Sequence, residues 1–257
     1  MPDAEGAVNQ IMRTKSVLIA FILLIALWQI LAWIVNLAIL PSPVEVLVAF
    51  IRELGRDLPL HFLASFYRVL VSTFLAILLA SPLGLMLGQS KPLNRIFAPL
   101  IYLLYPIPKV VLLPIVVLFL GIGDVSKIIM IFLILFFQIL VLVRDQAANI
   151  RPELIQSVRS LGAGRRALFR FVYFPASIPG ILTALRQSVG TAVAVLYVAE
   201  LFATQKGLGY YIYLKGSNLF DYPAMYAGVV AMSILGFGLY FVVDWLEKRL
   251  CKWQFAS

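Results

Sequence analysis

Residues 160–180, SLGAGRRALFRFVYFPASIPG, form a basic segment between two long apolar runs of an otherwise apolar chain. The segment contains a Gly-Ala-Gly break at 162–164 and two prolines, Pro175 and Pro179. Glycine gives the backbone conformations that other residues avoid, and proline in a helix removes a hydrogen bond. The pattern therefore predicts two short helices joined at the glycines, followed by a break at the prolines where the chain re-enters a membrane as a new span.

The composition identifies an integral membrane protein. Apolar residues make up 62% of the sequence and charged residues 13%, and the mean hydropathy is +0.98. Soluble domains are nearer half apolar and a quarter charged. A length of 257 residues suits one helical membrane domain with about six spans of ~20 residues each. The net charge of +9 is explained by the basic loops of membrane proteins, so no nucleic-acid partner is expected.

Residues for catalysis and metal binding are scarce. His61 is the only histidine and Cys251 the only cysteine, which leaves no intrachain disulfide and makes a metal site improbable. The sequence has no Ser/His/Asp set and no HExxH motif. It also lacks the G-x-x-x-x-G-K-[ST] phosphate loop, so the chain is not expected to bind ATP in the usual way. The chain is therefore not expected to be an enzyme.

The hydropathy pattern predicts a single all-α transmembrane domain over residues 1–257. The predicted spans are 15–38, 62–89, 96–120, 125–148, 176–203 and 225–246, with a loop at 149–175. An even number of spans places both termini on one side. Lysines and arginines concentrate on that side, which predicts a multi-pass membrane protein with cytoplasmic termini.

A short amphipathic helix is predicted on the outer surface after the first span. Ser42 is a candidate N-cap, Pro43 takes the first helical position and Glu45 completes a capping box. Apolar residues then recur at helical spacing through Leu54. We expect a structural helix that lies along the membrane surface.

The 149–175 loop resembles the cytoplasmic "EAA" loop in the permease subunits of ATP-binding-cassette (ABC) importers. Aligned on Gly162, the chain has Gln156-Ser157-Val158 where that signature has Glu-Ala-Ala, and Val172 and Phe174-Pro175 where it has Ile and Leu-Pro. The spacing is the same throughout, whereas the first triplet differs entirely. Further stretches, among them LPSP at 40–43, YPIPKVVLLPIVVLFLGIGDVSKI at 105–128 and VAELFATQKGLGYYI at 198–212, resemble the branch that imports nitrate, sulfonates, taurine, bicarbonate and thiamine-precursor pyrimidines.

This resemblance implies the type I ABC importer permease fold with cytoplasmic coupling helices. It also implies a second permease subunit, a homodimer if one polypeptide serves the system. Two cytoplasmic ATPase subunits would carry ATP and Mg, so no cofactor is expected in this chain, and an extracytoplasmic solute-binding protein would deliver the solute. The resemblance assigns contact with the ATPase to a set of residues in the 149–175 loop: Gln156, Ser157, Arg159, Ser160, Leu161, Gly162, Ala163 and Arg166.

Four charged residues within or at the ends of the predicted spans are candidates for the solute pathway. Lys109 follows Pro106 and Pro108 in a span that should be kinked, and it could line the pathway, snorkel to the lipid surface or form a structural pair. Arg186 could make a structural or inter-subunit contact, or bind a carboxylate or sulfonate. Glu200 has Arg68 as its expected partner, and a structural ion pair is the favoured interpretation.

The predicted function is transport of a small anionic or polar solute, such as a sulfonate, nitrate or a thiamine-precursor pyrimidine. The alternative is a secondary transporter driven by an ion gradient. That class would show two related halves and acidic residues at mid-membrane, and the sequence shows neither clearly.

Overall fold

The computed structural model describes residues 2–202 and 204–252, with side chains from residue 16 onward except that of Arg165. This part of the chain contains helices and no strand. The α-helices are α1 (Pro2–Val35), α2 (Pro43–Leu54), α3 (Leu58–Gln89), α4 (Lys91–Leu104), α5 (Leu113–Leu120), α6 (Asp124–Ala148), α7 (Pro152–Ser160), α8 (Arg165–Leu168), α9 (Phe174–Leu201), α10 (Leu208–Tyr213) and α11 (Tyr222–Leu250). A 3₁₀-helix (Lys109–Leu112) precedes α5, and two π-helices follow α8 (Phe169–Tyr173) and α10 (Leu214–Asn218).

Five helical segments are long and apolar enough to cross a membrane: Ser16–Val35, Leu58–Gln89, Asp124–Ala148, Arg166–Leu201 and Tyr222–Leu250. A sixth candidate consists of Lys91–Leu104 and Lys109–Leu120, which meet at an angle of 75°. These numbers agree with the predicted all-α protein of about six spans. The individual span bounds and the single domain of 1–257 stay predictions.

The kink predicted for the third span is confirmed, and the structure shows it as a break. Residues 105–108 separate α4 from the 3₁₀-helix. Pro106 and Pro108 lie in this break, and neither has the N–H that donates the backbone hydrogen bond of a helix. The helix cannot pass through two such positions in succession, so it stops and restarts in another direction.

The two short helices predicted around the Gly-Ala-Gly break are confirmed as α7 and α8. The interruption predicted at Pro175 and Pro179 is wrong, because α8, the π-helix and α9 follow one another without a gap through this described stretch. Pro175 lies in the first turn of α9 and Pro179 lies inside the helix, so the helix accommodates both prolines. The wider turn of the π-helix at Phe169–Tyr173 changes the phase of the backbone instead.

The chain divides into two compact units. The first comprises residues 1–59 and 212–229. Within it, the capping box of α2 is confirmed: Ser42 Oγ accepts from the Glu45 N–H at 3.3 Å, and Glu45 Oε2 accepts from the Ser42 N–H at 2.7 Å. Glu53, on the same helix, is fully buried and forms ion pairs with Arg52, Arg56 and Lys215 at 3.1, 3.3 and 3.1 Å. These pairs fix α2 to the π-helix that follows α10.

The second unit comprises residues 60–211 and 230–257. Close packing of α3 against α6 depends on two glycines: a Cβ at Gly84 would lie 3.0 Å from the Leu140 carbonyl oxygen, and one at Gly88 would lie 2.5 Å from that of Arg144. Small residues allow such backbone contact between helices in a membrane. On another side of α6, α9 packs along it, and α5 joins them through Leu113.

Candidate functional site

The 149–175 segment combines an anchored face with an open one. Leu168 and Val172 are buried, which attaches the second short helix to its own unit. In contrast, Leu161 keeps 85% and Phe171 68% of its surface exposed. Phe171 lies in the π-helix and is therefore not part of the face that Leu168 and Val172 bury.

The residues predicted to contact an ATPase lie on the open face. Seven of them are exposed, Gln156, Ser157, Arg159, Ser160, Leu161, Gly162 and Arg166, and Ala163 is half-buried. Gly162 has a φ of +79° and its N–H donates to the Arg159 carbonyl at 2.9 Å, so it turns the chain in a conformation that favours glycine. The structure thus presents these residues together, and their contact with an ATPase stays a prediction.

Arg68 lies at the centre of a buried charge cluster at the opposite end of α9. We call Ser65, Arg68, Asp124, Glu200 and residues 206–209 the Arg68 cluster. The Arg68 guanidinium donates to Glu200 Oε1 at 2.7 Å, to Asp124 Oδ1 at 2.6 Å and to the Lys206 carbonyl at 2.7 Å. The predicted pair of Arg68 with Glu200 is therefore confirmed, and Asp124 is a further partner that the sequence analysis missed.

Glu200 is fully buried in this cluster, and both of its carboxylate oxygens accept hydrogen bonds. Ser65 Oγ donates to its carboxylate at 2.8 Å and the Gly209 N–H donates at 2.8 Å. Gly207 has a φ of +122°, and a Cβ there would overlap the Glu200 carboxylate. The cluster thus joins α3, α6, α9 and the chain before α10, and a buried pair with this many hydrogen bonds is well compensated.

The Lys109 side chain donates hydrogen bonds to backbone carbonyls at the break in the bent span. Its ammonium donates to the carbonyls of Leu104, Tyr105 and Ile107 at 3.0, 3.0 and 3.3 Å. The first two belong to the end of α4, where carbonyls lack helical partners and a cation is favoured. The ammonium also lies 4.6 Å from the centre of the Phe137 ring. Lys109 therefore has a structural role, which was one of the alternatives left open by the sequence.

Lys109 also lines a cavity of about 350 Å³, which we call the Lys109 cavity. The cavity lies between the break, α6 and α9. Its polar side chains are Tyr105, Lys109, Gln138 and Thr191, and apolar residues such as Val195 complete the wall. A cavity with a few converging polar groups is the usual form of a small-molecule site. The cavity thus contains Lys109, one of the predicted pathway residues.

Arg186 forms ion pairs inside the chain. Its guanidinium forms an ion pair with Glu247 Oε2 at 2.6 Å and donates to Asp244 Oδ1 at 3.3 Å, which joins α9 to α11. This supports the structural interpretation of Arg186, since its charge already faces two carboxylates. Asp244 and Glu247 were not among the predicted residues, although their i, i+3 spacing near the end of the last span was a visible signal. Within the described part of the chain, no group of three or more His, Cys, Asp or Glu could hold a metal ion.

Comparison with known proteins agrees with these features. A family model described as "Binding-protein-dependent transport system inner membrane component" matches residues 76–252. The taurine transport system permease protein TauC of Escherichia coli is 33% identical over 84% of this chain and 80% of its own. The formylaminopyrimidine transport permease protein ThiX of Halalkalibacterium halodurans is 29% identical over 91% of this chain and 94% of its own.

A solved structure has the same fold. A chain of the MetNI methionine ABC transporter, in an inward-facing conformation, superposes with a TM-score of 0.63 at 20% identity, covering 74% of this chain and 94% of that one. The fold is therefore that of the type I ABC importer permeases, as the sequence predicted. From the family match and these relatives, the chain belongs to the family of binding-protein-dependent transport system inner membrane components.

Proposed function

We propose that this chain is the membrane permease of an ABC importer, with ATP and Mg bound and hydrolysed on a separate cytoplasmic ATPase subunit. Two copies of the chain would surround the solute path, two ATPase subunits would dock on the inner face, and an external solute-binding protein would deliver the solute. The family and the type I fold support this assembly.

The open face of the 149–175 segment carries the proposal. A large apolar side chain exposed on a segment between two spans has no cover from its own unit, and Leu161 is in this position beside several arginines. Phe171 is exposed in the first turns of the Arg166–Leu201 segment, at the end next to Leu161. Exposed apolar residues rimmed by polar ones mark surfaces that bind a protein. The excess of basic residues on this side supports a cytoplasmic location for the segment and for both termini.

The continuity of α8, the π-helix and α9 suggests how docking would reach the solute path. α9 is 28 residues long, or about 42 Å at 1.5 Å per residue. It begins at the 149–175 segment, passes Thr191 and Val195 in the Lys109 cavity, and ends with Glu200 in the Arg68 cluster. A displacement of the 149–175 segment would therefore be transmitted along α9 to the Lys109 cavity and to the Arg68 cluster.

The relatives support a small polar or anionic solute. TauC is named for taurine and ThiX for formylaminopyrimidine, so one sulfonate and one pyrimidine stand among the named solutes. Both are small enough for a cavity of about 350 Å³. The solute of this chain therefore belongs to the same range of sizes.

Two neighbouring glycines offer a matched test. A Cβ at Gly162 or at Gly164 would meet open space, but only Gly162 has a positive φ. Gly162→Ala should strain the turn by about 1–2 kcal/mol and displace Leu161, whereas Gly164→Ala should leave it in place. We expect the tagged permease, purified from its native membranes, to retain an ATPase subunit in the wild type and in Gly164→Ala, and to lose most of it in Gly162→Ala.

Two results would contradict the proposed function or the proposed docking surface. Recovery of the chain without an ATPase, together with solute uptake by reconstituted vesicles in the absence of ATP, would replace the importer by the secondary transporter. Equal ATPase recovery in Gly162→Ala and Gly164→Ala would show that the turn at Gly162 is not part of the docking surface.

A further inference from the structure

Two polar side chains project into the Lys109 cavity from the middle of membrane spans. Gln138 lies 14 residues after the start of α6 and Thr191 lies 17 residues after the start of α9, or about 21 and 26 Å along their helices. Both residues line the cavity and are half-buried. Polar side chains at this depth normally face a partner or a water-filled path, because lipid offers no hydrogen bonds.

Neither side chain has a hydrogen bond to the described part of the protein. Other hydroxyls on the same helices do: Ser188 Oγ donates to the Ala184 carbonyl at 2.7 Å, and Ser126 Oγ to that of Gly123 at 3.0 Å. Thr191 lies three residues from Ser188 on the same helix. The Ser188 hydroxyl donates to the backbone, whereas the Thr191 hydroxyl is free to bind a ligand. The Gln138 amide is likewise available as a donor and an acceptor.

The charge of the cavity wall is positive. The Lys109 ammonium makes its hydrogen bonds to carbonyl groups, and it forms no ion pair with a described carboxylate. Asp and Glu are absent from the described residues of the wall. A cation that is not neutralised attracts anions more strongly in a site of low dielectric constant than in water. The cavity wall therefore favours an anionic group over a cationic one.

We infer that the Lys109 cavity is a transient binding site for the oxyanion group of the transported solute. Gln138 Nε2 and Thr191 Oγ1 donate hydrogen bonds to the oxyanion. The Lys109 ammonium attracts the oxyanion through its positive charge and keeps its own hydrogen bonds to the backbone carbonyls. This inference rests on the proposed transport function. It narrows the solute class to small organic acids, with sulfonates as the type that the cavity size and donor set suit.

The probe for this site is trifluoromethanesulfonate, whose fluorine signal broadens in ¹⁹F NMR when the anion binds a large particle. The full chain, purified with its native partners in lipid nanodiscs, is titrated with this anion and with neutral trifluoroethanol. We expect Gln138→Leu and Thr191→Val each to weaken the anion's binding by about tenfold, as for the loss of one hydrogen bond to a charged group. Ser188→Ala, which removes a hydroxyl from the same helix outside the cavity wall, should bind as the wild type does.

Several outcomes would overturn the inference. Equal broadening in the wild type, Gln138→Leu and Thr191→Val would assign anion binding to the basic surface of a chain with net charge +9. An equal effect of both variants on trifluoroethanol would show an apolar cavity without anion preference. The measurement needs no ATP hydrolysis and no binding protein, so it is independent of ATPase recovery, which tests the proposed function.

Discussion

The Arg68 cluster and the 149–175 segment lie at opposite ends of α9 and differ in how their side chains find partners. In the cluster, a buried arginine and a buried glutamate are surrounded by donors and acceptors from their own chain. In the segment, arginines and large apolar side chains face outward. The first region is complete within one chain and the second is not. The difference indicates that one end of α9 maintains the fold whereas the other end is available for a partner.

The largest effect is expected from the removal of the central cation. Arg68→Leu leaves the Glu200 carboxylate buried without its guanidinium, and we expect the free energy of unfolding to fall by about 3–5 kcal/mol. Arg159→Leu removes an exposed arginine from α7 and should change the free energy of unfolding by about 0.5 kcal/mol or less. Thermal unfolding of the two purified variants measures both. Similar melting temperatures would contradict the contrast between the two regions.

Within the 149–175 segment, the two faces should respond differently to truncation. Leu168 is buried, so Leu168→Ala should lower the free energy of unfolding by about 2–5 kcal/mol. Phe171 is exposed, so Phe171→Ala should lower it by about 0.5 kcal/mol or less and should instead reduce recovery of the ATPase. Thermal unfolding and co-purification of the same samples separate the effects. Loss of stability in Phe171→Ala would show that this side chain packs on its own unit.

The backbone of the Arg68 cluster should be sensitive at one glycine. In Gly207→Ala the new methyl group would overlap the Glu200 carboxylate at a φ of +122°, so we expect a loss of about 1–3 kcal/mol. A Cβ at Gly190, in α9, meets open space, and Gly190→Ala should leave stability unchanged or raise it by up to about 1 kcal/mol. Chemical denaturation in mixed micelles compares the two. A tolerated Gly207→Ala would mean that the cluster can rearrange without loss.

The smallest effect concerns thiol reactivity and pH. Burial, and then the negative charge of Glu247, raise the pKa of the Cys251 thiol above its usual value. A raised pKa leaves less thiolate at neutral pH, so maleimide should label Cys251 slowly at pH 7 and faster as the pH rises. Ser160→Cys in a Cys251→Ser background places a thiol on the open face of the segment, where labelling at pH 7 should be fast. Equal rates at pH 7 would show that Cys251 is not buried in solution.

Much of the fold could be predicted from short-range patterns in the sequence. Span count depends on hydropathy, the capping box of α2 on Ser42 and Glu45, and the break in the third span on Pro106 and Pro108. The Arg68–Glu200 pair was also predictable, because two opposite charges near the same membrane face have few other partners. Each of these features depends on neighbouring residues or on the membrane itself.

Features that depend on the phase of packed helices could not be predicted. The π-helix at Phe169–Tyr173 replaces the expected break at Pro175, because packing of Leu168 and Val172 holds the chain helical. Hydrophobic periodicity alone does not distinguish an α-turn from a π-turn over five residues. The role of Gln138 in the Lys109 cavity was also missed, since a single polar residue in a span gives no indication of which helix it faces.

Two leucines of equal exposure provide the most direct test of the central claim, which is that the 149–175 segment docks an ATPase. Leu161 is 85% and Leu118, in α5, is 84% exposed. The photoreactive residue p-benzoylphenylalanine is introduced at each position and activated in native membranes, and the adducts are identified by mass spectrometry. The account predicts that position 161 captures a protein with the G-x-x-x-x-G-K-[ST] loop, and that position 118 captures lipid or another permease chain. Lipid adducts at both positions, with no ATPase at 161, would contradict it.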